Sequence, residues 1–217
     1  MKIELVARRP VNFAQDWPGK YDIFSPFEYA CGIPSVLHAV TTLKENGQPN
    51  VNFNFAGSFT GDGDGYFAIL PLYRHNHTYR NILRTGEFVV NFISKDFFDA
   101  CIQTIQQNGD ELDEFEAGGF RREPARTVEA PRMREAFLSL ECTLEKELDL
   151  SGSGRAALVI GRVRHIAMEE GYAAGIDKKY DEEGFMLNIH APKNLTTGEG
   201  KASAVAVCRI VRVNEEG

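Results

Sequence analysis

Five consecutive residues, Arg74-His75-Asn76-His77-Thr78, gather hydrogen-bond donors at one point of the chain. The apolar stretch Tyr66 to Tyr73 ends just before them, and a helical pattern running to Arg84 begins among them. A helix start offers backbone N–H groups with no intrahelical acceptor and the positive end of the helix dipole. Two imidazoles, a guanidinium, an amide and a hydroxyl beside such a start make an anion site, and a phosphate monoester suits its size and charge. The same residues also suit a plain helix start, with Asn76 or Thr78 as cap and the rest solvated. A second segment, Asn52-Phe53-Asn54-Phe55-Ala56-Gly57-Ser58, passes from an alternating strand into small residues. Small residues let a flat ring lie against backbone N–H and C=O groups. They also suit a bulge or corner of a barrel.

Other chemistries fit poorly. His75 and His77 would need a third ligand to hold a metal, and the sequence offers none, so no metal is expected. The run Asp62-Gly63-Asp64-Gly65 resembles the start of a calcium loop, but Tyr73 stands where the closing Glu belongs. No GxSxG, P-loop or GxGxxG is present. Cys31, Cys101, Cys142 and Cys208 are far apart, and Cys31 and Cys208 are expected in the core like most thiols. His38 and His165 fall in strand patterns and read as core or edge histidines.

The elements that would position these residues are mostly strands. Pro34 to Leu43 is rich in apolar and β-branched types, Glu45-Asn46-Gly47 is a turn signal, and Asn50 to Phe55 alternates polar and apolar residues. Together they predict a hairpin. Gly61 to Gly65 reads as a flexible loop, followed by a strand over 66–73, a helix over 75–84 stopped near Gly86, and a strand over 87–93. Phe97, Phe98, Cys101, Ile102 and Ile105 have helical spacing within 95–107, with Asn108-Gly109 as the stop. Residues 110–136 predict a short helix and an irregular crossing. Strands over 137–148 and 156–168 flank the turn Ser151 to Gly154, and a last strand covers 202–213. Residues 171–200 read as a loop-rich excursion. About seven strands with few helices predict a mainly β fold, an antiparallel sheet closed or nearly closed on itself, in a single domain over 1–217.

Lys and Arg number 24 against 31 Asp and Glu, a formal charge of −7, which disfavours nucleic acid as a partner. No apolar run approaches the ~18 residues that cross a bilayer, so no membrane partner is expected. Met1 to Pro10 carries Lys2, Glu4, Arg8 and Arg9 and lacks a signal-peptide apolar region. A cytoplasmic location with reduced thiols is the expectation.

The order of several short motifs resembles the flavin reductase-like, FMN-binding split-barrel family, in its flavoredoxin-type branch. Over roughly residues 30–170 these are Val40-Thr41-Thr42, Asn46-Gly47-Gln48-Pro49-Asn50-Val51, Thr78-Tyr79-Arg80-Asn81-Ile82 and Gly86-Glu87-Phe88-Val89-Val90-Asn91. Asp113-Glu114-Phe115 then precedes Ala117-Gly118, and Ala130-Pro131 precedes Leu140-Glu141-Cys142. The resemblance implies an antiparallel Greek-key split β-barrel with a few short helices, usually a homodimer holding FMN. It implies that Asn52 to Ser58 line the isoalloxazine and that Arg74 to Thr78 hold the phosphate. It implies an oxidoreductase passing hydride from NADH or NADPH to flavin, with an oxygenase or another electron acceptor as partner. The alternative is an electron-carrying or flavin-storing module with no nicotinamide site of its own. The chain departs from the family where Ser or Thr and a Ser-x-x-Pro-Pro loop are common: it has Asn54-Phe55-Ala56-Gly57 and Gly61-Asp62-Gly63-Asp64-Gly65.

Overall fold

A computed structural model describes Lys2, Glu4 and residues 25–175, 180–190, 193–194, 197–200 and 204–210. The expected loop-rich excursion and last strand fall partly outside these residues. The described residues divide into two compact units, one drawn from Met1–Ser35 and Leu187–Ala206, the other from Val36–Met186 and Val207–Gly217.

The larger unit is built on seven antiparallel strands: β1 (His38–Leu43), β2 (Pro49–Asn54), β3 (Ser58–Asp62), β4 (Gly65–Tyr73), β5 (Glu87–Phe92), β6 (Leu138–Asp149) and β7 (Ala156–Met168). Their order in the sheet is β2-β1-β5-β6-β7-β4-β3. Consecutive strands β2 and β3 thus stand at opposite edges, joined only by Phe55, Ala56 and Gly57. A flat sheet of this order would hold its edges about 29 Å apart at ~4.8 Å per strand. Four Cα steps reach at most about 15 Å. The sheet must therefore curl until its edges meet at the link. Gly57 marks the meeting: a Cβ there would lie 2.9 Å from His38 Cε1 on β1 and 3.2 Å from Leu70 Cδ2 on β4. The result is the split β-barrel.

Alternation along the strands sorts the two faces. Val40, Leu70, Phe88, Val90, Leu140 and Val159 are buried together in the barrel core. On the opposite face of β1, β5 and β6 lie Thr41, Asn91 and Glu141, all fully buried under the crossing segment that precedes β6. Thr41 Oγ1 donates to Pro131 O (2.5 Å), and Asn91 Oδ1 accepts from Met133 N and Ser139 Oγ. Glu141 accepts from the Arg126 and Thr127 N–H groups and from Thr127 Oγ1, with Arg132 Nη1 at 3.4 Å. The crossing segment pairs part of its own backbone in the short antiparallel pair Arg122–Glu123 and Arg132–Met133, and these buried side chains satisfy further backbone groups.

Four α-helices lie in the unit among the described residues: α1 (His77–Thr85), α2 (Phe98–Gln106), α3 (Glu114–Gly118) and α4 (Glu170–Ala174). Asp113 caps α3 through the Phe115 and Glu116 N–H groups. None of the helices among the described residues is long and apolar enough to cross a membrane. In the smaller unit, Ser25 caps the helix Pro26–Cys31, and His190 stands 4.0 Å from Glu28.

The structure departs from the sequence expectation at four places. The expected loop over 61–65 is a tight hairpin, with Asp62 paired to Gly65 and Gly63 at φ +54. The strand over 34–43 breaks at Leu37, whose N–H donates to Met186 O. Ala204–Val207 is strand, but residues 208–210 are not. Cys101 and Cys142 are the buried thiols, whereas Cys31 is exposed and Cys208 intermediate.

His38 sits fully buried in the barrel, and burial, only partly offset by its hydrogen bond to Val36 O, pushes its pKa down to about 4. Burial also works against the charge on Glu141, yet its donors outweigh burial and hold the carboxyl below its usual range. Both groups bind fewer protons folded than unfolded. Stability is thus full above about pH 6.5 and falls as pH drops toward 4. His38→Leu should flatten this limb by on the order of 3 kcal/mol, read from urea midpoints across the window. An unchanged slope would remove His38 from the acid sensitivity.

Candidate anion-binding site

Helix α1 begins where β4 ends, and Asn76 stands at its cap position in extended conformation. Its side chain makes no capping hydrogen bond. The first intrahelical bond runs from Arg80 N to Asn76 O, so the first-turn N–H groups before Arg80 have no helical acceptor. In front of this turn is a cavity of about 340 Å³. Its walls are Asn50, Val51 and Asn52 from β2, His75 to Thr78 from the turn and α1, Thr104 and Ile105 from α2, and Asn108 and Glu114 beyond it. The size is within the range of small-ligand pockets, about 300–1,000 Å³.

Polar contacts fix the walls. Asn50 Nδ2 donates to Thr78 Oγ1 (2.8 Å), tying β2 to the first turn of α1. Asn81 Nδ2 donates to Thr42 Oγ1 (3.0 Å), tying the same helix to β1. Lys44 and Glu114 form an ion pair at 2.9 Å with side chains only 6% and 1% exposed. Lys44 Nζ also donates to Gly109 O and Leu112 O, while Glu114 Oε2 accepts from Val51 N. One buried ammonium and one buried carboxylate thus clamp the 109–112 loop and α3 against the β1–β2 hairpin. Burial, opposed by Lys44 and Val51, raises the Glu114 pKa. His77 Nε2 lies 3.1 Å from Asp110 Oδ1 at the rim. Burial lowers the His77 pKa, with Asp110 acting against it and Arg80 and Lys44 adding to it.

The structure brings together Asn52, His75, Asn76, His77 and Thr78 from the sequence-predicted set. Arg74 is turned elsewhere. Its guanidinium donates to Tyr79 Oη (2.7 Å) and Glu147 Oε1 (2.5 Å), and Asp149 lies at 3.6 Å. Two carboxylates on the β6–β7 hairpin outcompete a solvent-facing anion site for that cation. Phe53 is buried against Phe98. Asn54, Phe55, Ala56, Gly57 and Ser58 form the end of β2, the barrel-closing link and the start of β3, outside the cavity wall. Asn54 Oδ1 accepts from Ala56 N, but its buried Nδ2 finds no partner among the described residues. An orphaned buried donor beside small residues is the feature a polar ring edge would satisfy.

Asn50, Thr104, Asn108 and Glu114 were not legible as wall residues. Asn50 shows only as the polar half of an alternating strand, and Asn108 as a helix stop. Their convergence depends on α2 and α3 packing against β2.

A second, larger cavity of about 600 Å³ lies within the same unit, lined by Phe59, Phe92, Leu140, Phe185 and other mainly apolar residues. Among the described residues its lining carries no Asp, Glu, Lys or Arg.

The family model for the flavin reductase like domain matches residues 31–184. The chain belongs to this family. An uncharacterized protein of Aquifex aeolicus is 42% identical to this chain over 119 residues, 52% of this chain and 60% of that one. The chain thus spans less than two thirds of that relative's length. Its fold matches nitrilotriacetate monooxygenase component B from Bacillus cereus (TM-score 0.71, 16% identity, 98% of this chain and 100% of that chain). It also matches the flavoredoxin of Methanosarcina acetivorans (TM-score 0.67, 16% identity, 94% and 96%). In this flavin reductase-like chain the cavity stands on the Lys44–Glu114 clamp. Lys44→Met should cost about 3–5 kcal/mol in urea denaturation, because it strands a buried carboxylate. Adding Glu114→Gln should recover part of that loss; additive losses would show that the two groups act separately.

Proposed function

We propose that this protein binds FMN, with the phosphate in the cavity at the start of α1, and serves as an NAD(P)H-dependent flavin reductase. The observation that carries the reading is a coincidence of position. The uncapped helix start with His75, Asn76 and His77 falls on the residues where the family resemblance puts the phosphate. The first-turn N–H groups, His77 Nε2 and the Asn52 and Asn76 amides would hold it. The Asn54 amide and the backbone from Phe55 to Ser58 would serve the ring edge. FMN would supply the hydride-accepting centre. The protein's part is to orient flavin and nicotinamide, so no acid–base triad is needed. NADH or NADPH is the expected hydride donor, and a partner oxygenase or another electron acceptor takes the reduced flavin's electrons. A homodimer is part of the proposal, with exposed Ile166 and Met168 as surface for a second copy to cover.

A second reading is a flavin carrier without its own nicotinamide site. Arg74 favours it: tied to Glu147 and Asp149, its guanidinium is not open to a dinucleotide's phosphates. Loading with FMN, desalting and recording a spectrum separates the readings when followed by an NADH and NADPH oxidation assay. Retained flavin with oxidation above the free-flavin control supports the reductase, and retained flavin without it supports the carrier. No retained flavin and no oxidation would reject both.

His77→Ala should weaken FMN by about 1.5–3 kcal/mol more than riboflavin, the worth of a hydrogen bond to a charged group. Arg74→Ala should leave the ratio of the two affinities unchanged and lower the thermal midpoint instead. Fluorescence titration with both flavins reads the difference.

A further inference from the structure

One residue of the cavity wall, His77, is already paired with an anion. Asp110 Oδ1 lies 3.1 Å from His77 Nε2, although the Asp110 side chain is 79% exposed and His77 only 22%. An exposed carboxylate left to itself would sample solvent. This one is carried on a loop pinned at three backbone oxygens: Lys44 Nζ holds Gly109 O (2.7 Å) and Leu112 O (2.8 Å), and Asn46 Nδ2 holds Asp110 O (3.2 Å). Asn46 also engages the neighbouring carboxylate, Glu111, at 3.3 Å, which keeps that acid on the Asn46 side of the loop. The charged groups acting on His77 are Asp110, Arg80 and Lys44, and of these Asp110 alone is negative.

A ring N–H serves one acceptor well at a time. We infer that Asp110 is an internal counter-anion, seated on the His77 donor where a ligand phosphate would bind, and that it sets how strongly the site prefers phosphorylated ligands. This rests on the proposal that the cavity takes a phosphate. An incoming phosphate displaces the carboxylate from Nε2 and meets its negative charge at the rim. Affinity for phosphorylated flavin is thereby held down, and release is eased. A flavin without phosphate leaves the Asp110–His77 pair in place and feels neither effect. Asp110 is thus a specificity-determining residue that need not touch the flavin ring.

The test compares FMN, riboflavin and inorganic phosphate on the full chain. Asp110→Asn keeps the side-chain shape and the backbone bond from Asn46 while removing the charge. It should tighten FMN roughly three- to fivefold, because removing the carboxylate charge removes its repulsion of the phosphate, an interaction about the size of one exposed charge pair. Riboflavin should be unchanged, and inorganic phosphate should compete with FMN at lower concentration than in wild type. The gain should shrink at high salt. Glu111→Gln is the control and should change none of these. If wild type favours FMN over riboflavin but Asp110→Asn leaves that preference unchanged or reduces it, the counter-anion role is overturned and the phosphate site stands. Equal binding of FMN and riboflavin by wild type, with no competition from inorganic phosphate, would overturn both. A thermal melt of Asp110→Asn matching wild type shows that the exposed substitution leaves the fold intact; Asp110→Ala repeats the measurement if it does not.

Discussion

Three residues between two strands at opposite edges of a sheet dictate most of this molecule. Phe55, Ala56 and Gly57 cannot reach across an open seven-strand sheet, so the sheet curls until β2 and β3 meet. Curling creates an interior for Val40, Leu70, Val90 and Leu140. It leaves a seam at β2, an edge strand with only one neighbour. Edge strands in most proteins are covered or blunted. Here α1, α2 and α3 pack beside the seam, and the cavity is the space they do not fill.

Buried polar groups decide where that packing stops. Lys44 and Glu114 are too costly to bury unless paired. Their pairing, and their bonds to three backbone groups, give the 109–112 loop and α3 a defined seat. Glu141, Asn91 and Thr41 do the same for the crossing segment. The 109–112 loop has no strand or helix, and the crossing segment has only the short strand pair Arg122–Glu123 and Arg132–Met133. Each is held from the barrel side by side chains whose own desolvation is offset only if the segment is in place. The same arrangement puts Asp110 against His77 of the cavity wall.

Much of the fold was readable from periodicity. The alternation of Asn50 to Phe55 follows from one buried face, and β4 to β7 were recognisable from apolar content and turn residues. The start of α1 was legible because a cap-type residue and donors follow a strand end. What periodicity could not show was competition. Arg74 reads as part of an anion site in sequence, yet Glu147, 73 positions later, takes it. Asp110 reads as loop, yet it faces His77. The Asp62 to Gly65 run has the composition of a mobile loop, and its hairpin form depends on the β3–β4 ladder that pairs Asp62 with Gly65.

The sequence by itself determined the strand-rich class, the helix start with its donors and the family, because these depend on local spacing and on motif order along the chain. The tertiary structure alone decided which donors share a cavity, which cation is spent on a structural pair and which carboxylate stands against His77. Those outcomes depend on distances between residues far apart in sequence. A charge takes whichever partner the folded chain brings within hydrogen-bond reach, and no local pattern encodes that choice.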